Sequence, residues 1–126
     1  MTDLSYETFS EQLRANVPGF GRVYDEHVAD YDEVLPHVLL GEFVRFLSND
    51  VELNGSASAA LKPATVLLEK SMSSEDPRLQ ELVAVSFLEN LDQEHPSFHI
   101  IRSLFGPALA EQYEKYEAAG NTVEGG

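Results

Sequence analysis

The chain has 126 residues, 22 of them acidic and eight basic, for a formal charge of −14. Such a surface repels nucleic acid and anionic membranes and speeds encounter with basic proteins. One domain is expected at this length, and with 43% hydrophobic residues there is material for one core. Seven Phe and five Tyr, spread along the chain with many Leu and Val, argue against disorder. No cysteine is present, which removes disulfides and thiolate metal sites. The start, MTDLSYETFSEQL, carries early acids and no apolar core, so no signal peptide is expected. No window reaches the roughly 18 apolar residues of a membrane span. A soluble, cytoplasmic protein is the expectation.

In chain order, Ser5 is placed to cap a first helix, with Phe9 and Leu13 as its apolar stripe. Pro18-Gly19 stops it. A second helix carries Phe20, Val23, Tyr24, His27, Val28 and Tyr31 at amphipathic spacing. Its other face holds Asp25, Glu26 and Asp30, and Asp32 and Glu33 follow directly. Five carboxylates thus fall within nine residues without a Lys or Arg among them.

Pro36 suits the first turn of a third helix that sends Leu39, Leu40, Phe43, Phe46 and Leu47 to the core. The stretch NDVELNGSAS at 49–58 reads as a loop. A fourth helix is expected over 64–72, with Val66, Leu67 and Leu68 apolar. Ser74-Glu75-Asp76-Pro77 is the clearest start signal in the chain, a cap residue followed by proline at the first helical position. The run LVAVSFL at 82–88 is apolar nearly all round, so the helix it belongs to is expected at the centre. Pro96 and Gly106-Pro107 introduce two last helices, near 97–105 and 107–119. The expected fold is therefore all-α: a compact irregular bundle of six or seven short helices, partly stacked as helical hairpins. It forms a single domain over 1–119 with a flexible tail at 120–126.

Catalytic patterns are weak. Glu94, His95 and His99 lie close together, but Pro96 interrupts the histidine pair and no HExxH motif occurs. His27 falls on the apolar stripe and reads as a satisfied core or rim histidine; His37 reads as a helix-start residue. No GxSxG elbow or phosphate loop is present. No catalytic, cofactor-binding or metal-ligating residue is assigned, and an enzyme is not expected. What stands out instead is charge mixed with aromatic side chains: Tyr24 and Tyr31 beside the helix-two acids, and Tyr113 and Tyr116 beside Glu114 and Glu117. Aromatic anchors ringed by charge suit a protein-binding surface.

Two segments, SSEDPRLQELVAVSFLENL at 73–91 and LFGPALAEQYEKY at 104–116, carry a resemblance. Asp76, Pro77, Val83, Val85, Phe87, Leu88, Glu89, Asn90, Leu91, Gly106 and Pro107 are its matching positions. With them the C-terminal half resembles short helical bacterial proteins of the immunity type, associated with polymorphic toxins. That resemblance implies a helical fold and neutralisation of a cognate toxin by direct binding, and it supplies no catalytic residue. The expected partner is a basic protein, a toxin domain, met through Tyr24, Asp25, Glu26, Asp30, Tyr31, Asp32 and Glu33. The alternative is an acidic nucleic-acid mimic or regulatory adaptor that blocks a DNA- or RNA-binding protein.

Overall fold

The computed structural model describes residues 4–125, with side chains through Ala118. Among these, seven α-helices and no strand occur: α1 (Phe9–Asn16), α2 (Phe20–Tyr31), α3 (Pro36–Asn54), α4 (Leu61–Met72), α5 (Pro77–Ser86), α6 (Phe98–Ser103) and α7 (Pro107–Gly125). The all-α bundle expected from the sequence is the fold found. The tail expected at 120–126 falls among residues whose side chains lie outside the described set.

Local chemistry explains most boundaries. The Ser5 amide donates to Thr8 Oγ1 at 3.0 Å and the Thr8 amide to Ser5 Oγ at 3.3 Å, a reciprocal pair of the capping-box kind. Ser5 therefore caps the opening turn, although regular α1 begins only at Phe9. Gly19 adopts φ +85°, and a Cβ there would sit 3.3 Å from the Phe46 ring. That left-handed turn and close ring approach both favour glycine. Asp32 closes α2 at φ 59°, its amide donating to Val28 O at 2.8 Å. Asp tolerates this region better than most residues.

The expected loop at 49–58 is a correction. Helix α3 runs on to Asn54, followed by a 3-10 turn at Gly55–Ala57. Polar residues of low helix propensity suggested a break, but Val51 is buried in the core. Burial of one apolar side chain outweighs a few tenths of a kcal/mol of propensity per residue. Asn54 Nδ2 donates back to Asp50 O at 3.1 Å, and Gly55 at φ 59° ends the helix.

Helix α4 begins at Leu61, three residues earlier than expected, with Pro63 in its first turn where a missing amide is harmless. Asp76 caps α5 as expected, its Oδ1 accepting the Arg78 amide at 3.0 Å. The run at 82–88 is less central than its composition suggested. Leu82, Val83 and Phe87 are buried, but Val85 is 43% exposed, and helical geometry gives way after Ser86 to a 3-10 turn at Leu88–Asn90. Val66 of α4 is likewise 45% exposed and outside the core.

Two helices, α3 and α4, organise the packing. Helix α3 contacts α2, α5 and α6, and α4 contacts α1, α5 and α7. Consecutive helices α2–α3 and α4–α5 each touch across a four-residue link, the helical hairpins expected from the sequence. The core runs between them through Phe9, Phe20, Phe43 and Phe87. Phe20 meets Phe43 edge-on at 5.1 Å, and Phe43 faces Phe87 at 6.0 Å. Helix α2 therefore lies at the outside, held by its Phe20 face and showing its acids to solvent.

Candidate acidic interaction face and groove

The seven residues singled out from the sequence all sit on or just after α2, but the fold divides them. Tyr24 and Asp25 turn toward α1. Arg14 forms a two-pronged contact with Asp25, Nε to Oδ1 and Nη2 to Oδ2, each 3.1 Å, and stands 5.6 Å from the Tyr24 ring centre. The Asp25 carboxylate holds the Arg14 guanidinium more firmly protonated than usual. Tyr24 is half-buried against the core. These two residues thus join α1 to α2, a use that spacing within α2 does not reveal.

Glu26, Asp30, Tyr31, Asp32 and Glu33 are all exposed. Glu26 has Arg22 one turn away at 3.8 Å, a solvent-exposed pair worth little. Among the described residues no cation lies within ion-pair distance of Asp30, Asp32 or Glu33. Tyr31 is 44% exposed, with one side of its ring 4.8 Å from the His27 ring. Tyr113, by contrast, is 1% exposed, so of the C-terminal tyrosines only Tyr116 presents a surface. Burial pushes the Tyr113 hydroxyl above its ordinary range, and Gln93 Nε2 donates to that hydroxyl at 2.6 Å.

His27 explains how the acidic face is held. It is buried, and its Nε2 accepts the Leu35 amide at 3.0 Å. An amide only donates, so the ring proton of the neutral form sits on Nδ1, which donates to Glu42 Oε1 at 2.8 Å. One imidazole thus ties α2, the 32–35 turn and α3 together, the satisfied histidine expected from the apolar stripe. Both ring nitrogens are occupied, which leaves none for proton transfer to a substrate.

Beside this contact, α2 and α3 enclose an open groove of about 460 Å³. Arg22, Val23, Glu26 and Asp30 line one wall; Glu42, Arg45, Phe46, Asp50 and Leu53 line the other. Glu42 is engaged by His27, and Asp50 accepts from the Ser58 hydroxyl and the Asn54 side chain. Glu26 and Asp30 keep open acceptor positions toward the groove. Leu53, at its end, is 84% exposed. Sequence reasoning missed Leu53, because 49–58 read as loop and a leucine in a loop carries no facial information.

A larger depression of about 750 Å³ lies between the N-terminal turn, α1 and α4, over Leu4, Pro63, Val66 and Leu67. Part of its polar lining is already used internally. Asn16 donates to Gln12 O at 2.8 Å, Ser74 Oγ donates to Leu4 O at 3.3 Å, and Asp76 Oδ2 accepts the Tyr6 amide at 2.8 Å. It reads as the seam where the N-terminal segment docks.

One constellation resembles a catalytic relay. His95 Nδ1 accepts the Ser97 amide at 3.1 Å, so it is unprotonated and also faces the Ser97 hydroxyl at 2.8 Å; Nε2 then points its proton at Glu52 Oε2, 3.0 Å away. The order serine, histidine, carboxylate is that of an activated nucleophile. Ser97, however, is 1% exposed and lines neither depression. Its position just before α6 makes the cluster a latch between α6 and α3. Among the described residues no group of three or more His, Asp or Glu is arranged to hold a metal ion, and no helix is long and apolar enough to cross a membrane.

Fold and face together define a small helical protein with an acid-rimmed groove on its α2–α3 side. By sequence, residues 10–119 match the model of the Domain of unknown function DUF7674, and the chain belongs to that family. No curated protein and no solved structure matches it.

Proposed function

We propose that this chain is a non-catalytic binding protein that docks a basic protein partner on the α2–α3 side, and that it acts in the cytoplasm to neutralise a toxin domain. The observation carrying this reading is the exposure of Glu26 and Asp30 on α2 and of Asp32 and Glu33 just after it, with Tyr31 among them. Exposed carboxylates raise the encounter rate with a cationic surface, and a half-exposed tyrosine beside them can anchor it. Asp25 and Tyr24, used by Arg14, contribute less contact than their spacing suggested. The C-terminal resemblance to immunity proteins supplies the biological setting, with occlusion of a basic active-site cleft as the mode of action.

Co-expression tests the setting directly. This chain is produced together with a basic toxin domain encoded beside its gene. Restored growth and a one-to-one complex would support neutralisation. Continued toxicity with both proteins soluble would overturn it, as would a gene neighbourhood with no toxin or capture of a DNA-binding protein in its place. In the complex, Asp30→Lys and Glu33→Lys should slow association by about tenfold or more at low salt while leaving the fold unchanged.

A further inference from the structure

We infer that the partner's docking element is a cationic amphipathic helix lying in the α2–α3 groove, with an Arg or Lys between Glu26 and Asp30 and an apolar side chain on Leu53. This rests on the reading of the chain as a binder of basic proteins and adds the element that binds and its place.

The groove combines features that the outer acids lack. Glu26 and Asp30 stand four residues apart on one wall, one helical turn and about 6 Å along the axis. A guanidinium or ammonium between them meets two carboxylates, one unpaired and one only weakly engaged by Arg22 at 3.8 Å. Below, Val23 and Phe46 are half-buried and offer an apolar floor. Leu53 projects into water at 84% exposure. A solitary exposed leucine means little, but one continuing an apolar floor marks a surface that gains from being covered.

Dimensions and backbone chemistry favour a helix. From Glu42 to Leu53 the α3 wall advances eleven residues, about 16 Å or three turns. Both walls are α-helices whose backbone groups are internally bonded, so an extended strand would find no ladder to join. A second copy of this chain is disfavoured because each carries −14. Arg45 on the α3 wall sets polarity within the groove: the partner's cation goes to the Glu26–Asp30 side, where Arg22 engages Glu26 only weakly, and away from Arg45.

The test uses a synthetic helix-forming peptide of about 15 residues, roughly four turns, with Leu and Arg along one face. A scrambled peptide of identical composition is the control. Binding is followed by amide chemical shifts of the full chain at low salt. Shifts confined to 22–30 and 42–53 are expected, with the scrambled peptide at least about tenfold weaker, and Asp30→Asn or Leu53→Ser each weakening binding about tenfold. The pair Asp32→Asn and Glu33→Gln should change affinity less than about twofold. Equal binding of the scrambled peptide, shifts centred elsewhere or no binding would overturn the groove. If in a toxin complex the outer pair matters and the groove variants do not, the groove is overturned while the broader reading stands. Failed neutralisation in co-expression removes the broader reading alone.

Discussion

Gly106 and Glu69 show how one residue's identity is set by another far along the chain. Glu69 on α4 accepts the Ala108 amide at 2.6 Å and the Leu109 amide at 3.0 Å, so a carboxylate from one helix caps the start of α7. Negative charge at that end also suits the helix dipole. A Cβ on Gly106 would lie 2.5 Å from the Glu69 carboxyl carbon, so a side chain there forces the carboxylate to shift. Gly106→Ala should therefore displace the cap and cost about 1 kcal/mol, with Glu69→Ala costing about 1–2 kcal/mol. The double variant should cost no more than the larger single one, because both act on one contact. Urea unfolding of the three variants checks this; additive losses would show that Gly106 is needed for another reason. His27→Ala acts differently. It empties a buried site and strands the Leu35 amide, so a loss of about 2–4 kcal/mol is expected.

At the scale of elements, one acid joins the N-terminal segment to α5, beside the Ser74–Leu4 and Arg78–Glu7 contacts. Asp76 both caps α5 and accepts the Tyr6 amide, seventy residues away in sequence. The Tyr6 amide, then the Arg78 amide and charge, hold the Asp76 carboxyl below its usual range. Glu7 is lowered as well, first by its contact with Arg78. A carboxyl lowered on folding stabilises the fold above its unfolded value, and that contribution disappears as pH falls through the folded value. The stability gap between the parent chain and Asp76→Asn should thus stay constant above about pH 5 and shrink below about pH 4, near the ordinary aspartate value. Urea midpoints across pH measure it, and a gap that widens on acidification would refute the assignment. Elements announced by local chemistry were legible in the sequence: Asp76-Pro77 opens α5, Pro36 opens α3, and Pro18-Gly19 separates α1 from α2. Elements decided by burial were not. Val51 carries α3 through residues that looked like a loop, and Val85 faces solvent although its neighbours suggested a central helix. For the candidate site, periodicity placed the acids on one side of α2. It said nothing of Arg14, eleven residues before Asp25, or of Leu53 on the neighbouring helix.

For the molecule as a whole, a charge of −14 makes salt act in opposite directions on folding and on binding. Within the fold, cations are few, and several are held by acids: Arg14 on Asp25, Arg78 on Glu7 and Asp76, Arg102 near Glu114. These exposed pairs weaken modestly with salt. The carboxylates in excess repel one another over distances comparable to the molecule, because the Debye length is about 30 Å at 0.01 M salt and about 3 Å at 1 M. Screening that long-range repulsion outweighs the loss of a few surface pairs, so the thermal midpoint should rise as potassium chloride is increased between those limits. The same screening removes the attraction of a cationic partner for the Glu26–Glu33 face, so the association rate should fall steeply over the same range. The off-rate, governed by close contacts at Leu53 and Tyr31, should change little. Thermal denaturation and stopped-flow association in matched salt series test both halves. If instead salt lowers the midpoint, the surface pairs are worth more than exposed ion pairs ordinarily are. If association is indifferent to salt, the acidity of α2 serves solubility and the partner is recognised by shape.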